Sequence, residues 1–318
     1  MVAPLDRVKI LFQSHNPQFV RYTGSWFGVG EAIKHIYHQD GALGLYRGHS
    51  ATLLRIFPYA AIKFLAYEQI RAIVIPSRDK ETPFRRLISG SMAGVTSVFF
   101  TYPLEVVRVR LAFETRKDSR SSFRSICKQI YNERQFVKPL TPAADAAAVS
   151  ASAADSVASA AAPATRSFGM VNFYRGFSPT LLGMLPYAGM SFLTHDTAGD
   201  LLRHPKIAEY TTLPKPKNSP PGKPAPLRSW AELFAGGIAG LVSQTASYPL
   251  EVIRRRMQVG GAVGDGRRMR IGETAKLIMR ERGFRGFFVG LTIGYAKVVP
   301  MVAASFYTYE RLKMWFGI

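Results

Sequence analysis

Three uncharged stretches stand out in the pattern of hydrophobic and polar residues along the chain. Leu87–Leu104 and Leu233–Leu250 each contain 18 residues without a charge, and a third uncharged stretch extends from Gly176 to His195. A helix of this length can cross the roughly 30 Å hydrocarbon core of a bilayer. The alternative is a set of buried core helices in a soluble protein. The pattern predicts long helices, and we expect them to span a membrane.

Two further apolar segments are interrupted by cations. Ser50–Tyr67 contains Arg55 and Lys63. Leu291–Tyr309 contains Lys297. An ionisable side chain at the centre of a bilayer costs about 2.5–3.5 kcal/mol on insertion scales, so such residues usually face a water-filled cavity. In a soluble protein the same residues would mark the polar face of an amphipathic helix. We expect the three cations to line a cavity.

A motif of the form proline-x-acid-x-x-base occurs three times, and each copy is followed by two glycines seven residues apart. A proline, a phenylalanine and an acid follow the second glycine at the same distances in all three copies. Such periodicity is the signature of a repeat architecture. The motifs are Pro4–Lys9, Pro103–Arg108 and Pro249–Arg254, and the glycine pairs are Gly41/Gly48, Gly169/Gly176 and Gly283/Gly290.

The repeat unit predicts an all-α membrane protein, a six-helix bundle of three two-helix repeats with a short amphipathic helix inside each repeat. The predicted short helices are Ser25–His38, Ser121–Tyr131 and Ile271–Glu281. The predicted divisions are repeat 1 at 1–76, repeat 2 at 83–203, a proline- and lysine-rich linker at 204–227 and repeat 3 at 228–318.

Repeats 1 and 2 depart from this unit. Pro4 follows only three residues, so by comparison with the other copies we expect that about 13 residues of the first helix, or about 20 Å at 1.5 Å per residue, are absent from this sequence. Pro139–Thr165 holds 13 alanines among 27 residues and is interpreted as a low-complexity insert. Thr211–Leu227 holds six prolines and is expected to be a semi-extended linker.

Composition narrows the class of partner. The formal net charge is +21, which favours an anionic partner such as nucleic acid, an acidic membrane surface or a phosphorylated small molecule. The single cysteine, Cys127, excludes a disulfide framework and a cysteine-based metal site. A nucleic-acid-binding protein predicts a basic stripe with stacking aromatics. The cations here follow the repeats and loops instead, so no nucleic acid, cofactor or metal is predicted, and no constellation suggests an enzyme.

The tripled motifs resemble those of the mitochondrial carrier family over nearly the whole chain. The resemblance implies six tilted helices in the mitochondrial inner membrane, with the proline motifs closing the matrix end. It also implies a multi-pass monomer that moves a small molecule by alternating access. Acidic lipid such as cardiolipin would bind at the helix starts after Arg47-Gly48 and Arg175-Gly176.

In the family, motif charges of neighbouring repeats pair when the matrix end is shut. Carried over, the pairs of this matrix gate are Asp6–Arg108, Glu105–Arg254 and Glu251–Lys9. Gln13 and Gln258 occupy the brace positions of repeats 1 and 3, and Ala112 replaces the brace in repeat 2. The outer gate resembles the family's aromatic-acid-x-x-base network. It would use Glu68, Arg71, Asp196, Glu310 and Lys313, paired as Asp196–Lys313 and Glu310–Arg71, while Gly199 replaces the base that Glu68 would need.

Seven residues are candidates for substrate contact at mid-membrane positions between the gates. They are Arg55, Tyr59, Lys63, Gly183, Met184, Tyr187 and Lys297. Gly183 followed by Met184 matches the family's pair where an adenine ring packs, and methionine offers a polarizable surface for such a ring. The alternative is a glycine needed only for helix packing. The three cations would hold phosphates, which arginine can bind bidentately.

Residues 3–13 and Arg55–Ala60 look like the coenzyme A carrier branch, which includes the Graves disease carrier. This resemblance implies coenzyme A as substrate. The same residues would also suit an ATP-Mg/phosphate-type carrier or another adenine-nucleotide carrier. A carrier-like protein that no longer transports and a basic nucleic-acid-binding protein both stay open as interpretations of a different class.

Overall fold

The computed structural model describes residues 2–24, 26–75, 82–115, 122–136, 165–167, 169–214, 225–261 and 269–316. The described chain is built mainly from α-helices, as the repeat unit predicts. The helices are α1 (Ala3–Gln13), α2 (Trp26–Leu45), α3 (His49–Val74), α4 (Pro83–Phe113), α5 (Phe123–Asn132), α6 (Phe177–Leu202), α7 (Ala208–Thr211), α8 (Ser229–Val259), α9 (Ile271–Arg282) and α10 (Leu291–Phe316). Short 3₁₀ segments cover Val20–Tyr22, Gly169–Tyr174 and Phe284–Phe288. The all-α repeat fold is confirmed.

The short helices lie close to their predicted positions. α9 starts at the predicted residue and ends one residue later, and α5 ends one residue beyond its prediction. α2 continues to Leu45, well past the predicted end at His38, although Gly41 interrupts its helical backbone. The predicted first residues of two of these helices, Ser25 and Ser121, lie outside the described residues.

The paired glycines of the repeats all adopt a left-handed backbone. Their φ angles are +71° and +85° at Gly41 and Gly48, +47° and +79° at Gly169 and Gly176, and +61° and +82° at Gly283 and Gly290. Glycine reaches this region without the steric cost that a β-carbon imposes. At Gly48 a β-carbon would also lie 3.0 Å from the carbonyl oxygen of Arg108. The seven-residue spacing therefore marks two sharp changes of chain direction before each second long helix.

The chain divides into two compact units. The first contains residues 3–177 and 255–275, and the second contains 178–254 and 276–318. α8 contributes its last residues to the first unit and the rest to the second. In the first unit, apolar side chains of α4, α5 and the 3₁₀ segment before α6 form a core; they include Val106, Val107, Ile126, Ile130 and Phe173. A second cluster joins Ile10, Val109, Ala112 and Val259.

Two three-residue strands flank the predicted insert. β1 (Arg134–Phe136) pairs antiparallel with β2 (Thr165–Ser167), with Arg134 opposite Ser167 and Phe136 opposite Thr165. The pairing brings the two ends of the inserted segment together. The insert itself, predicted at 139–165, lies outside the described residues except for Thr165.

The two ends of the segment Thr211–Leu227 pair with each other in extended conformation. After the short helix α7, Thr212 and Leu227 form an antiparallel bridge. The amide of Leu213 donates to the carbonyl of Pro226 at 2.8 Å, and the amide of Arg228 donates to Thr211 at 2.7 Å. The prolines leave carbonyl groups available as acceptors, which allows this local pairing. Residues 215–224 lie outside the described part of the linker.

Within the described residues, none of the helices combines the length and the apolar character that crossing a membrane requires. Seven of the 18 residues in Leu87–Leu104, which lie within α4, are glycine, serine or threonine. Several of the hydroxyls donate to carbonyls one turn back, as Thr101 does to Ser97 at 2.7 Å, which is how such residues are accommodated inside a helix.

Candidate functional site

The first two proline motifs meet through one of the predicted gate pairs. Asp6 of α1 and Arg108 of α4 lie 3.6 Å apart, measured from Oδ2 to Nη2. Both side chains are largely buried. A charged pair between the two motif copies therefore exists within the first unit.

Glu105, the acid of the second motif, has partners that the sequence did not predict. Its Oε2 accepts from Nη1 of Arg55, and its Oε1 accepts from Nη1 of Arg255 at 3.0 Å. Arg255 directly follows Arg254, the predicted partner, on α8, and neither Arg55 nor Arg255 had been singled out as a partner of Glu105. Glu105 itself is 4% exposed.

The remaining predicted matrix pairs would join residues of different units. Glu105–Arg254 and Glu251–Lys9 therefore stay predictions. Lys9 is buried on α1.

Gln258, at the brace position of the third repeat, lies in a buried polar cluster. Nε2 of Gln258 donates to the hydroxyl of Tyr102 at 3.0 Å, and its Oε1 accepts from Arg255 at 3.0 Å. The backbone carbonyl of Gln258 accepts from Nε of Arg110 at 2.8 Å. Gln13, at the first brace position, is also fully buried, whereas Ala112 at the second packs in an apolar cluster.

A second, largely buried carboxylate, Glu133, was not singled out from the sequence; its side chain is 10% exposed. Arg110 and Arg175 contact its two oxygens at 2.9 and 3.0 Å. Asn172 donates to the backbone carbonyl of Glu133 at 3.1 Å. In repeat 1 an acid, Asp40, directly precedes the first glycine; in repeat 2 the insert separates the equivalent acid from its glycine. That interrupted spacing was the signal that could have found it.

Arg7 was also missed, and it ties three helices together. Its guanidinium donates to the carbonyl of Gly44, to Ala112 at 3.3 Å and to Glu114 at 3.1 Å, and it lies 3.3 Å from Asp40. The carbonyls of Ala112 and Glu114 lie at the end of α4, where helical carbonyls have no partner within the helix. Arg7 thus supplies donors to that end while pairing with the acid of α2.

The outer-gate candidates lie on exposed surface. Glu68, Arg71, Asp196 and Lys313 have exposed side chains, and the Glu310 side chain lies outside what the structure describes. Among the described ion pairs of the second unit, Asp196–Lys313 does not occur; His195 instead approaches Glu232 at 3.4 Å. The Asp196–Lys313 and Glu310–Arg71 pairs stay predictions.

In the first unit the candidate substrate residues share one face of α3. The Arg55 guanidinium lies 5.8 Å from the ring centre of Tyr59, one turn further along. Lys63, another turn on, is exposed. This face of α3 therefore presents two cations and an aromatic ring. One of the cations, Arg55, is paired with Glu105.

In the second unit, Gly183 and Met184 are partly exposed and Tyr187 is exposed on α6. A β-carbon at Gly183 would lie 3.6 Å from the β-carbon of Leu250, which is an ordinary contact distance. Helix packing within this unit therefore does not require a glycine at position 183. Lys297 of α10 is partly buried.

Across the described residues, no group of three or more histidine, cysteine, aspartate or glutamate side chains is arranged to hold a metal ion. Cys127 lies on α5 against the apolar core of the first unit, and burial raises the pKa of its thiol. The polar clusters of the first unit thus consist of carboxylates, guanidiniums and amides, which suit ion pairing and anion binding.

The chain was compared with models of protein families and with known proteins. The family model described as mitochondrial carrier protein matches residues 1–78, 79–140, 143–206 and 225–318. Mitochondrial carrier protein LEU5 of Saccharomyces cerevisiae is 50% identical over 327 residues, covering 100% of this chain and 86% of that protein. Solute carrier family 25 member 16 of Homo sapiens is 36% identical, with 100% and 84% covered. Mitochondrial carrier protein CoAc1 of Arabidopsis thaliana is 33% identical, with 100% and 85% covered.

Proposed function

Since the chain belongs to the mitochondrial carrier family, we propose that it is a multi-pass carrier of the mitochondrial inner membrane that transports coenzyme A, or a related adenine nucleotide, by alternating access. Family membership makes it a transporter rather than an enzyme. The observation that carries the proposal is the pairing of motif charges between repeats, Asp6 with Arg108. A carrier needs such pairs because they can break when one end opens.

The proposed cycle uses two gates. The matrix gate comprises the three motif pairs with Gln13 and Gln258 as braces, and the outer gate comprises the acids and bases at the opposite helix ends. Opening the matrix end breaks ion pairs, and the binding free energy of the substrate offsets that cost when the substrate binds the intermediate state more tightly than either open state. The Asp6–Arg108 pair is one of the contacts that a closed matrix end would contain.

The proposed substrate contacts divide by chemistry. Adenine would pack on Gly183 and Met184 beside Tyr187. This assignment is supported by the space at Gly183 that helix packing does not need. The phosphates would bind Arg55, Lys63 and Lys297. Tyr59, next to Arg55 on the same helix face, would contact the group between the phosphates and the ring.

Coenzyme A is preferred among adenine nucleotides because residues 3–13 and 55–60 resemble the coenzyme A carrier branch. We also propose that the chain acts as a monomer and binds cardiolipin at the helix starts after Gly48 and Gly176. Arg175 is buried against Glu133, so the lipid phosphate at Gly176 would be held by backbone amides at the start of α6.

The test is exchange of labelled coenzyme A in proteoliposomes, with Gly183→Phe and Gly183→Ala as a matched pair. Phenylalanine fills the proposed adenine site and should abolish exchange, whereas alanine makes only an ordinary contact and should preserve it. Lys297→Ala should weaken apparent affinity by about 10- to 150-fold if it removes a charged contact worth about 1.5–3 kcal/mol.

Dephospho-coenzyme A should lose less on that change if Lys297 binds the 3′-phosphate. Exchange of a carboxylate or an amino acid, with none of any adenine compound, would contradict the proposed substrate. Absence of exchange with every solute would favour a carrier-like protein that does not transport.

A further inference from the structure

Glu105 is shared between two guanidiniums that come from different helices. Arg55 of α3 occupies one carboxylate oxygen, and Arg255 of α8 occupies the other at 3.0 Å. The Arg55 side chain keeps 26% of its surface exposed, against 11% for Arg255. The carboxylate therefore has one partner within reach of a solvent-borne anion and one that is more enclosed.

Nη1 of Arg55 donates to Glu105, and it is one of the donors that a phosphate bound bidentately to that edge of the guanidinium would use. Arginine binds carboxylate and phosphate through the same planar fork of donors. Arg55 cannot offer that edge fully to both anions at once. A phosphate arriving at Arg55 must therefore compete with the carboxylate that already occupies it.

Arg255 makes such a displacement possible for a buried acid. Leaving a buried carboxylate without any cation would be strongly destabilising. Arg255 stays beside Glu105, and its own position is fixed by the hydrogen bond to Oε1 of Gln258. Glu105 can give up Arg55 and still keep a charged partner.

We propose that Glu105 is an internal occupant of the anion site at Arg55, and that a substrate phosphate displaces it onto Arg255. The inference rests on the proposed function in one respect, the assignment of Arg55 as a phosphate-binding cation. It adds a coupling step, because Glu105 is also the acid of the second proline motif. Phosphate binding then changes the charge balance of the matrix gate directly, through one shared side chain.

The experiment compares two isosteric substitutions in the full chain purified in detergent. Glu105→Gln removes the competing charge at Arg55. Glu133→Gln is the matched control, since Glu133 also lies between two arginines but contacts neither Arg55 nor Arg255 in the described ion pairs. Dissociation constants of coenzyme A and of inorganic pyrophosphate are measured by calorimetry for each variant.

Glu105→Gln should bind both anions about tenfold more tightly, because apparent affinity scales with the fraction of protein whose site is available. Glu133→Gln is expected to lower stability, but where it is folded it should bind both anions as tightly as the wild type, because it leaves Arg55 and Arg255 unchanged. Adding Arg55→Gln to Glu105→Gln should remove the gain. If the glutamine variant does not fold, Glu105→Asp serves instead: it keeps the charge but withdraws it from Arg55, and a smaller tightening is expected.

Unchanged or weaker binding by the Glu105 variants, in a protein whose wild type binds coenzyme A, would overturn this inference and leave the proposed function intact. The opposite combination is distinguishable. If the wild type binds pyrophosphate but not coenzyme A, and Glu105→Gln tightens pyrophosphate binding, the displacement is supported and the proposed substrate fails.

Discussion

The first unit holds two buried glutamates, each between two arginines, and they differ in how enclosed those arginines are. Glu133 contacts Arg110 and Arg175, whose side chains are 4% and 2% exposed. Glu105 contacts Arg255 and the more accessible Arg55. We infer from this difference in solvent access that Glu105, but not Glu133, can exchange one arginine for another.

Glu133, Arg110 and Arg175 form a cluster that backbone groups surround through hydrogen bonds. The hydroxyl of Tyr102 donates to the carbonyl of Arg175 at 2.9 Å, and Asn172 donates to carbonyls on both sides of the α5 end. Breaking the cluster would leave buried charges without these partners, which is costly. We therefore interpret it as a structural joint between α4, α5 and the start of α6.

The largest effect should come from Glu133→Gln. Removing one partner of a buried ion-pair cluster typically costs about 3–5 kcal/mol, because the remaining cations stay desolvated. The free energy of unfolding, measured by thermal or chemical denaturation in detergent, should fall by an amount in that range. Glu232→Gln, at a side chain that is 54% exposed, is the control and should change it by less than about 0.5 kcal/mol. Equal effects of the two substitutions would refute the structural role of Glu133.

A smaller effect is expected in the rate at which Cys127 reacts with a thiol reagent. Cys127 lies on α5, which ends directly before Glu133. Because burial raises the pKa of this thiol, the folded protein holds less reactive thiolate at a given pH than an unfolded chain, whose thiol pKa is about 8.5. Labelling of Cys127 in the folded protein near pH 8 should be slow. Its rate should increase only at a higher pH than the labelling rate of the chain unfolded in denaturant.

Glu133→Gln should speed this labelling by loosening α5, whereas Glu105→Gln should leave it unchanged. Cys127→Ser gives the background. A thiol that reacts as fast in the folded as in the unfolded chain, or that responds equally to both glutamine variants, would remove the distinction between the two glutamates.

Local features of the fold were predictable because they depend on nearby residues. The paired glycines marked the left-handed positions, and the amphipathic patterns located α5 and α9 within one or two residues. Gly41 shows the limit: α2 resumes after the glycine and continues to Leu45, which the earlier predicted end at His38 did not anticipate.

Partners across helices were harder to predict. Spacing within a repeat identified Asp6 and Arg108 as a pair, but it pointed to neither Arg55 nor Arg255 as a partner of Glu105. Which side chains reach Glu105 depends on the rotation of α3 and α8 about their axes, which sequence spacing does not specify. Glu133 was missed because the insert interrupts the spacing that would have marked it.

Double-mutant cycles measured with and without coenzyme A test whether the substrate displaces Glu105 from Arg55. Coupling free energies for Glu105 with Arg55 and for Glu133 with Arg110 are obtained from unfolding of the single and double glutamine variants, where interacting pairs give about 0.5–3 kcal/mol. We expect both couplings without ligand. Saturating coenzyme A should abolish the Glu105–Arg55 coupling and leave the Glu133–Arg110 coupling unchanged. A Glu105–Arg55 coupling that persists at saturating coenzyme A would contradict the displacement of Glu105 by the substrate.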